Sequence, residues 1–191
     1  EEGGFMPQFW TQGEPESNSA WFPVVDKPNE KITHEIAMTV DSSWVTLSNG
    51  SIEFTTANGD GTRTDYWSMT QPHAPYLVMM AAGAFQTVTE MWDSIPVSYF
   101  VEKEWVSEVN RIFGKTPEML TFYSDVLGVR YPWNKYDQIV VREYVSGAME
   151  NTTAVIHGDF LHTDANAYND DSHEDVVAPE MFHHSFGHYV T

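Results

Sequence analysis

Glu180 and His183 stand three residues apart, a spacing that puts both side chains on one face of a helix. A carboxylate and an imidazole so placed are parts of a metal-assisted hydrolytic site, in which the carboxylate takes a proton from a metal-bound water. A helix of the H-E-x-x-H kind needs its two histidines four apart, with the glutamate beside the first. The residue four before His183 is Pro179, so the spacing supplies half of such a site. A second stretch, Gly147-Ala148-Met149-Glu150-Asn151, reads first as a turn beside a sheet edge. Extended backbone there could also pair with a peptide by strand addition, with Glu150 holding an ammonium group by charge-assisted hydrogen bonds. A third stretch, from Trp10 to Glu16 with Trp21-Phe22-Pro23 after it, reads as a loop anchored in a core by Trp21 and Phe22, with Glu14 solvated.

The elements around these stretches divide the chain in two. Residues 31–40, 44–47, 52–56, 63–69 and 76–80 read as strands, and Asn58-Gly59-Asp60-Gly61 is a hairpin signal. They predict an antiparallel sheet to about residue 88. Beyond it, 97–101 and 136–141 read as strands and 104–113 as a helix. Residues 117–127 read as a second helix, capped by Thr116 with Pro117 at its first position. A last helix is expected over 170–188, capped by Asp170 or Ser172. The predicted fold is α+β, with a β-rich part over 1–90 and a mixed part over 91–191. The chain has 191 residues, 41% apolar and 19% charged, enough for a real core. A net charge of −19 argues against nucleic acid and anionic membrane surfaces. No apolar run is long enough to span a bilayer, and the absence of cysteine excludes disulfides and thiolate sites. The acidity suits a secreted or periplasmic setting, and the opening Glu1-Glu2-Gly3-Gly4 suits a mature product or a fragment.

Taken together, the three stretches resemble the zinc aminopeptidases of the gluzincin group, the alanyl and puromycin-sensitive type. Residues 147–151 match that family's GAMEN exopeptidase motif, and residues 11–31 resemble its TQxEP…FPCxDEPxxK segment. Residues 113–141 match the stretch leading into GAMEN, and residues 180–191 match the zinc helix from its glutamate onward. The resemblance implies the end of a β-rich N-terminal domain, then the first half of a thermolysin-like α/β catalytic domain. It implies zinc as cofactor and peptides with a free N-terminus as partners. Glu150 would grip the substrate's α-amino group with Glu14 beside it. Gln12 would line the first side-chain pocket, and Gly147, Ala148 and Met149 would lie along the peptide. Glu180 would be the general base and His183 a zinc ligand.

Two departures qualify what the resemblance implies. Pro179 stands where the first zinc histidine belongs, and proline inside a helix costs about 3 kcal/mol. The family's third zinc ligand, a glutamate on a later helix, and its transition-state tyrosine would lie beyond Thr191. Ser185 and His188 replace the usual Trp and the usual Asn or Asp. Zinc is therefore expected to be absent or weakly held, and the chain to be inactive as written. The alternative is a catalytically dead module that binds peptide N-termini. His184 and His188 are four apart but lie off the face of Glu180 and His183, and they read as surface histidines, with His173 a further candidate. His34, His73, His157 and His162 read as structural. Two outcomes are expected at Pro179: a kink that swings Glu180 away, or a late start with Pro179 in the first turn.

Overall fold

The computed structural model of the chain describes residues 7–163 and 172–188. Its β-rich part holds two three-stranded antiparallel sheets. In one, β5 (Thr62–His73) lies between β2 (Ile32–Asp41) and β4 (Ser51–Ala57). The β2 strand alternates, turning Ile32, His34, Ile36, Met38 and Val40 inward and the residues between them to solvent, as a half-buried strand must. The hairpin from β4 to β5 turns through Gly59 and Gly61, both at positive φ, as the Asn-Gly-Asp-Gly sequence predicts. In the other sheet, β6 (Met80–Gly83) lies between β1 (Gln8–Trp10) and β3 (Val45–Ser48).

The mixed part is built on a five-stranded sheet of β7 (Gln86–Trp92), β8 (Ile95–Val101), β9 (Tyr136–Val141), β10 (Ala148–Met149) and β11 (Ala154–Gly158). Its order is β10-β11-β9-β8-β7, with β8, β9 and β11 parallel and the two outer strands antiparallel to their neighbours. Every residue of β9 and β11 is buried. That is what a parallel sheet covered on both faces requires. On one face Val140 and Val155 meet α1 (Val109–Phe113), α2 (Thr116–Leu127) and α3 (Glu174–Phe182) through Ile112, Phe113, Leu120, Val177 and Met181. On the other face Ile139, Met149 and Ile156 meet Leu47, Met79 and Phe85 of the β-rich part. The expected α+β architecture is present, and β7 straddles the expected boundary at residue 90.

Polar ties lock the two parts together. The Asn49 amide donates to the Leu77 carbonyl (2.8 Å) and the Thr152 carbonyl (2.6 Å) and accepts from the Met79 N–H (2.9 Å). Gly50, at φ +72°, donates its N–H to Thr153 Oγ1 at 2.9 Å. A Cβ at Gly50 would meet the Ser68 carbonyl at 2.0 Å, so only glycine permits this approach. Buried Lys135 donates to the Ser48 carbonyl (2.8 Å) and to Asp137 (2.6 Å). These bonds fix the residues just after GAMEN against the β-rich part.

Several local expectations are corrected. Residues 76–80 do not form one strand: Pro75–Leu77 is a 3₁₀ turn, and β6 begins at Met80. Residues 104–113 split into a 3₁₀ segment, Lys103–Glu108, and the short α1. Thr116 is the first residue of α2, with Lys115 before it at the cap position. Trp21 is exposed, and its indole N–H donates to Asn18, which is the buried anchor of that loop. Asp170 lies outside the described residues.

Candidate peptide N-terminus site

The loop bearing Gln12 and Glu14 follows β1 and is pinned at both ends. Thr11 exchanges hydrogen bonds with Met80, its N–H reaching the carbonyl and its hydroxyl taking the Met80 N–H, both at 3.0 Å. Buried Asn18 donates to the carbonyls of Pro75 (2.7 Å) and Val78 (2.9 Å). Gly13 sits against that amide and the Tyr76 carbonyl, so closely that a Cβ would lie 2.3 Å from the latter. Glu14 is held at the surface by this packing.

The GAMEN stretch is reached through Gly147, at φ +81°, whose carbonyl accepts the Gly158 N–H at 2.8 Å. That turn lays Ala148 and Met149 against His157 and Ile156 as β10, the last strand at one edge of the sheet. Gln12 joins the two stretches. Its carbonyl oxygen accepts from the Tyr144 hydroxyl at 2.7 Å, and its amide nitrogen lies 3.3 Å from the Met149 sulfur. Residues 132 and 137 positions apart are thereby brought to one place.

The third component is α3. It starts at Glu174, after His173 in the left-handed region at φ +53°, and Pro179 is its sixth residue. Neither expected outcome at Pro179 occurs. The helix begins late, yet the proline lies beyond the first turn, and Glu180 stays beside GAMEN. Proline has no N–H for the Asp175 carbonyl, and the helix then widens into a π turn over His183–Gly187, where the His188 N–H reaches the His183 carbonyl. Glu180 is partly buried, and burial first, then the charges of Glu150 and Glu14, push its carboxyl up to about 7. The Tyr76 phenol is raised by burial and by Glu150 and Glu14, and the Tyr144 phenol by burial and by Glu14, Glu180 and Glu150. Glu14 and Glu150 therefore act on both phenols and Glu180 on Tyr144 alone of the two, and none of the three is in an ion pair with a described residue. Glu14 and Glu150 are expected from the sequence to face one cleft; both act on Glu180, whose carboxyl is raised.

Zinc fits this arrangement poorly. His183 is exposed, Pro179 offers no ligand atom, and among the described residues no group of three or more His, Asp or Glu could hold a metal ion. His184 and His188, read from the sequence as surface residues, are buried. The signal was available in part. His188 stands where Asn or Asp is usual in the resembled family, but the burial of both rings depends on residues distant in sequence, Tyr131, Trp133 and Tyr136 at His184 and Thr152 at His188. Tyr76 and Tyr144 carried no sequence signal of a role.

Two family profiles match in chain order. The Peptidase M1 N-terminal domain covers residues 1–77, and the Peptidase family M1 domain covers residues 111–191. The chain belongs to peptidase family M1. Bovine glutamyl aminopeptidase (Bos taurus) is 27% identical to it over 191 residues, covering 95% of this chain and 20% of its own length. Aminopeptidase 2, mitochondrial, of Saccharomyces cerevisiae is 29% identical over 185 residues, covering 95% of this chain and 19% of its own length. Mouse endoplasmic reticulum aminopeptidase 1 (Mus musculus) is 26% identical over 186 residues, with 95% and 20% covered. The M1 chain thus spans about a fifth of the length of these relatives. The β-rich part and the mixed part of its fold follow the two M1 profiles in order. No helix among the described residues is long and apolar enough to cross a membrane.

Proposed function

We propose that this M1 chain binds the free N-terminus of a peptide and, as its sequence stands, does not hydrolyse it. The observation that carries the reading is that Glu14 and Glu150 act on Tyr76, on Tyr144 and on Glu180, whose own charge acts on Tyr144. Carboxylates gathered without a counter-cation raise one another's pKa, and an ammonium group placed among them relieves that repulsion. Charge-assisted hydrogen bonds from an α-ammonium to Glu14 and Glu150 would fix the end of the peptide. The outer edge of β10 would take the peptide backbone by strand addition, while Gln12 and Met149 would line the space for the first side chain. The chemistry of a zinc aminopeptidase is not assigned to these residues, because the helix lacks a second ligand four residues before His183.

Glu180 in this reading shares the positive charge of the bound amine rather than activating a water. Glu150→Gln is the direct test. It should weaken binding of alanyl-alanine amide by about tenfold or more, since a charge-assisted hydrogen bond contributes about 1.5–3 kcal/mol. Unchanged affinity in calorimetry would remove Glu150 from the role. Measurable release of alanine from an alanyl anilide by the chain would overturn the absence of turnover. A second reading, in which the same residues serve hydrolysis, rests on the names of the matched relatives, which are aminopeptidases several times longer than this chain.

A further inference from the structure

Four imidazoles gather where α3 meets the β-rich part. His184 lies in the π turn and His188 directly follows it; both are buried, and their ring centroids are 5.0 Å apart. His73 at the end of β5 is buried, with its Nε2 3.2 Å from Nδ1 of His34 on β2. It acts electrostatically on both His184 and His188. The rings of His184 and His188 share one pattern. Nδ1 of His184 lies 3.2 Å from the Tyr131 hydroxyl, and Nδ1 of His188 lies 3.4 Å from Thr152 Oγ1. The Nε2 atom of each is buried without a hydrogen-bond partner. The Tyr131 hydroxyl gives its single proton to the Lys135 carbonyl at 3.0 Å. Its oxygen is then free to accept from His184 Nδ1–H, the tautomer that leaves the lone pair on Nε2. The Glu150 backbone carbonyl also acts on the His184 ring as a hydrogen-bond acceptor that favours its protonated form.

We propose that His184 and His188 form a two-imidazole site for a divalent transition-metal ion, bound through their Nε2 atoms and completed by water. Two histidines four apart on one helix are the spacing at which two imidazoles reach one ion. An outer hydrogen bond to the other ring nitrogen is how such ligands are oriented. Burial pushes the His184 imidazole down to about 3 and that of His188 to about 2, so both rings are neutral ligands at pH 7. Imidazole selects zinc, copper or nickel over magnesium or calcium. π turns of this kind are frequent at functional sites. This pair uses neither Pro179 nor His183, and it does not depend on the binding of peptide N-termini. With no third His, Asp or Glu arranged around the same point among the described residues, the site is a weak one.

The test uses Ni²⁺ and Zn²⁺ as free ions added to the full chain. Calorimetry with Ni²⁺ should show saturable binding of about one ion per chain. Histidine ring ¹⁵N spectra of the unmodified chain should show Zn²⁺ shifting the Nε2 resonances of His184 and His188 and leaving those of His183 in place. His184→Gln and His188→Gln should each weaken Ni²⁺ binding by about tenfold or more. Should either variant fail to fold, the spectra of the unmodified chain decide alone. The absence of saturable binding, or an ion that shifts His183 instead of the pair, would overturn the proposal.

Discussion

Glu180 keeps its proton to about pH 7, well above an ordinary glutamate, because burial and two neighbouring carboxylates oppose its ionisation. Raising a carboxyl pKa on folding means that the native chain holds more protons than the unfolded one between about 4.5 and 7. Stability from this group therefore falls as pH rises through that window, and the penalty is complete above it. Glu180→Gln removes the charge but keeps the shape. It should raise the Tm at pH 8 by on the order of 2–4 °C and change it little at pH 5. Scanning calorimetry at both pH values checks this; an equal shift at both would mean that the charge is not the cause. The cost is compatible with a binding role, since a site that is strained when empty is relieved by the cation it receives. Gln12, Glu14, Met149 and Glu150 were each visible in the sequence through their motifs. Tyr76 and Tyr144, both of which feel Glu14 and Glu150, were not, because a phenol's field comes from tertiary neighbours.

At the scale of elements, α3 accommodates a proline that should have ended it. Pro179 deprives the Asp175 carbonyl of its helical donor, and the next turns relax into the π geometry of His183–Gly187. Pro179→Ala should restore that bond and stabilise the chain by about 1–3 kcal/mol in urea unfolding. A destabilised variant would show that the surroundings require the ring. The strands with alternating patterns and the Asn-Gly-Asp-Gly hairpin were legible, because both depend on residues near in sequence. The three-residue β1 was not, since its partner β6 lies some seventy positions away and nothing local distinguishes it. The same reason hid the burial of His184 and His188. A helix face that looks polar in sequence meets Tyr131, Trp133 and Tyr136 at His184 and Thr152 at His188, all more than thirty positions away. The split of 104–113 into a 3₁₀ segment and α1 was equally unmarked, because no glycine or proline falls between them.

For the whole molecule, the buried histidines set the acid limit. Burial pushes His34 down to about 4, His157 to about 3 and His162 to about 4. In the unfolded chain each titrates near 6.5. Between those values the unfolded state binds more protons, so stability falls as pH drops from about 6.5 towards 4. Glu180 works in the opposite direction over part of that range, but it is one group against these three and against His73, His184 and His188, which burial also lowers. Each net proton taken up on unfolding steepens the decline by about 1.4 kcal/mol per pH unit. Urea midpoints should therefore decrease steadily from pH 7 to pH 4.5, and a maximum near pH 5 would contradict the burial of these rings as neutral groups. The central claim is the proposed binding of a peptide N-terminus at Gln12, Glu14, Glu150 and Glu180. Its most direct test is paired calorimetry of alanyl-alanine amide and its N-acetylated form against the full chain at pH 7.5. Saturable binding of the free amine, with no binding of the acetylated peptide, is the predicted result; equal binding of both, or of neither, would contradict it.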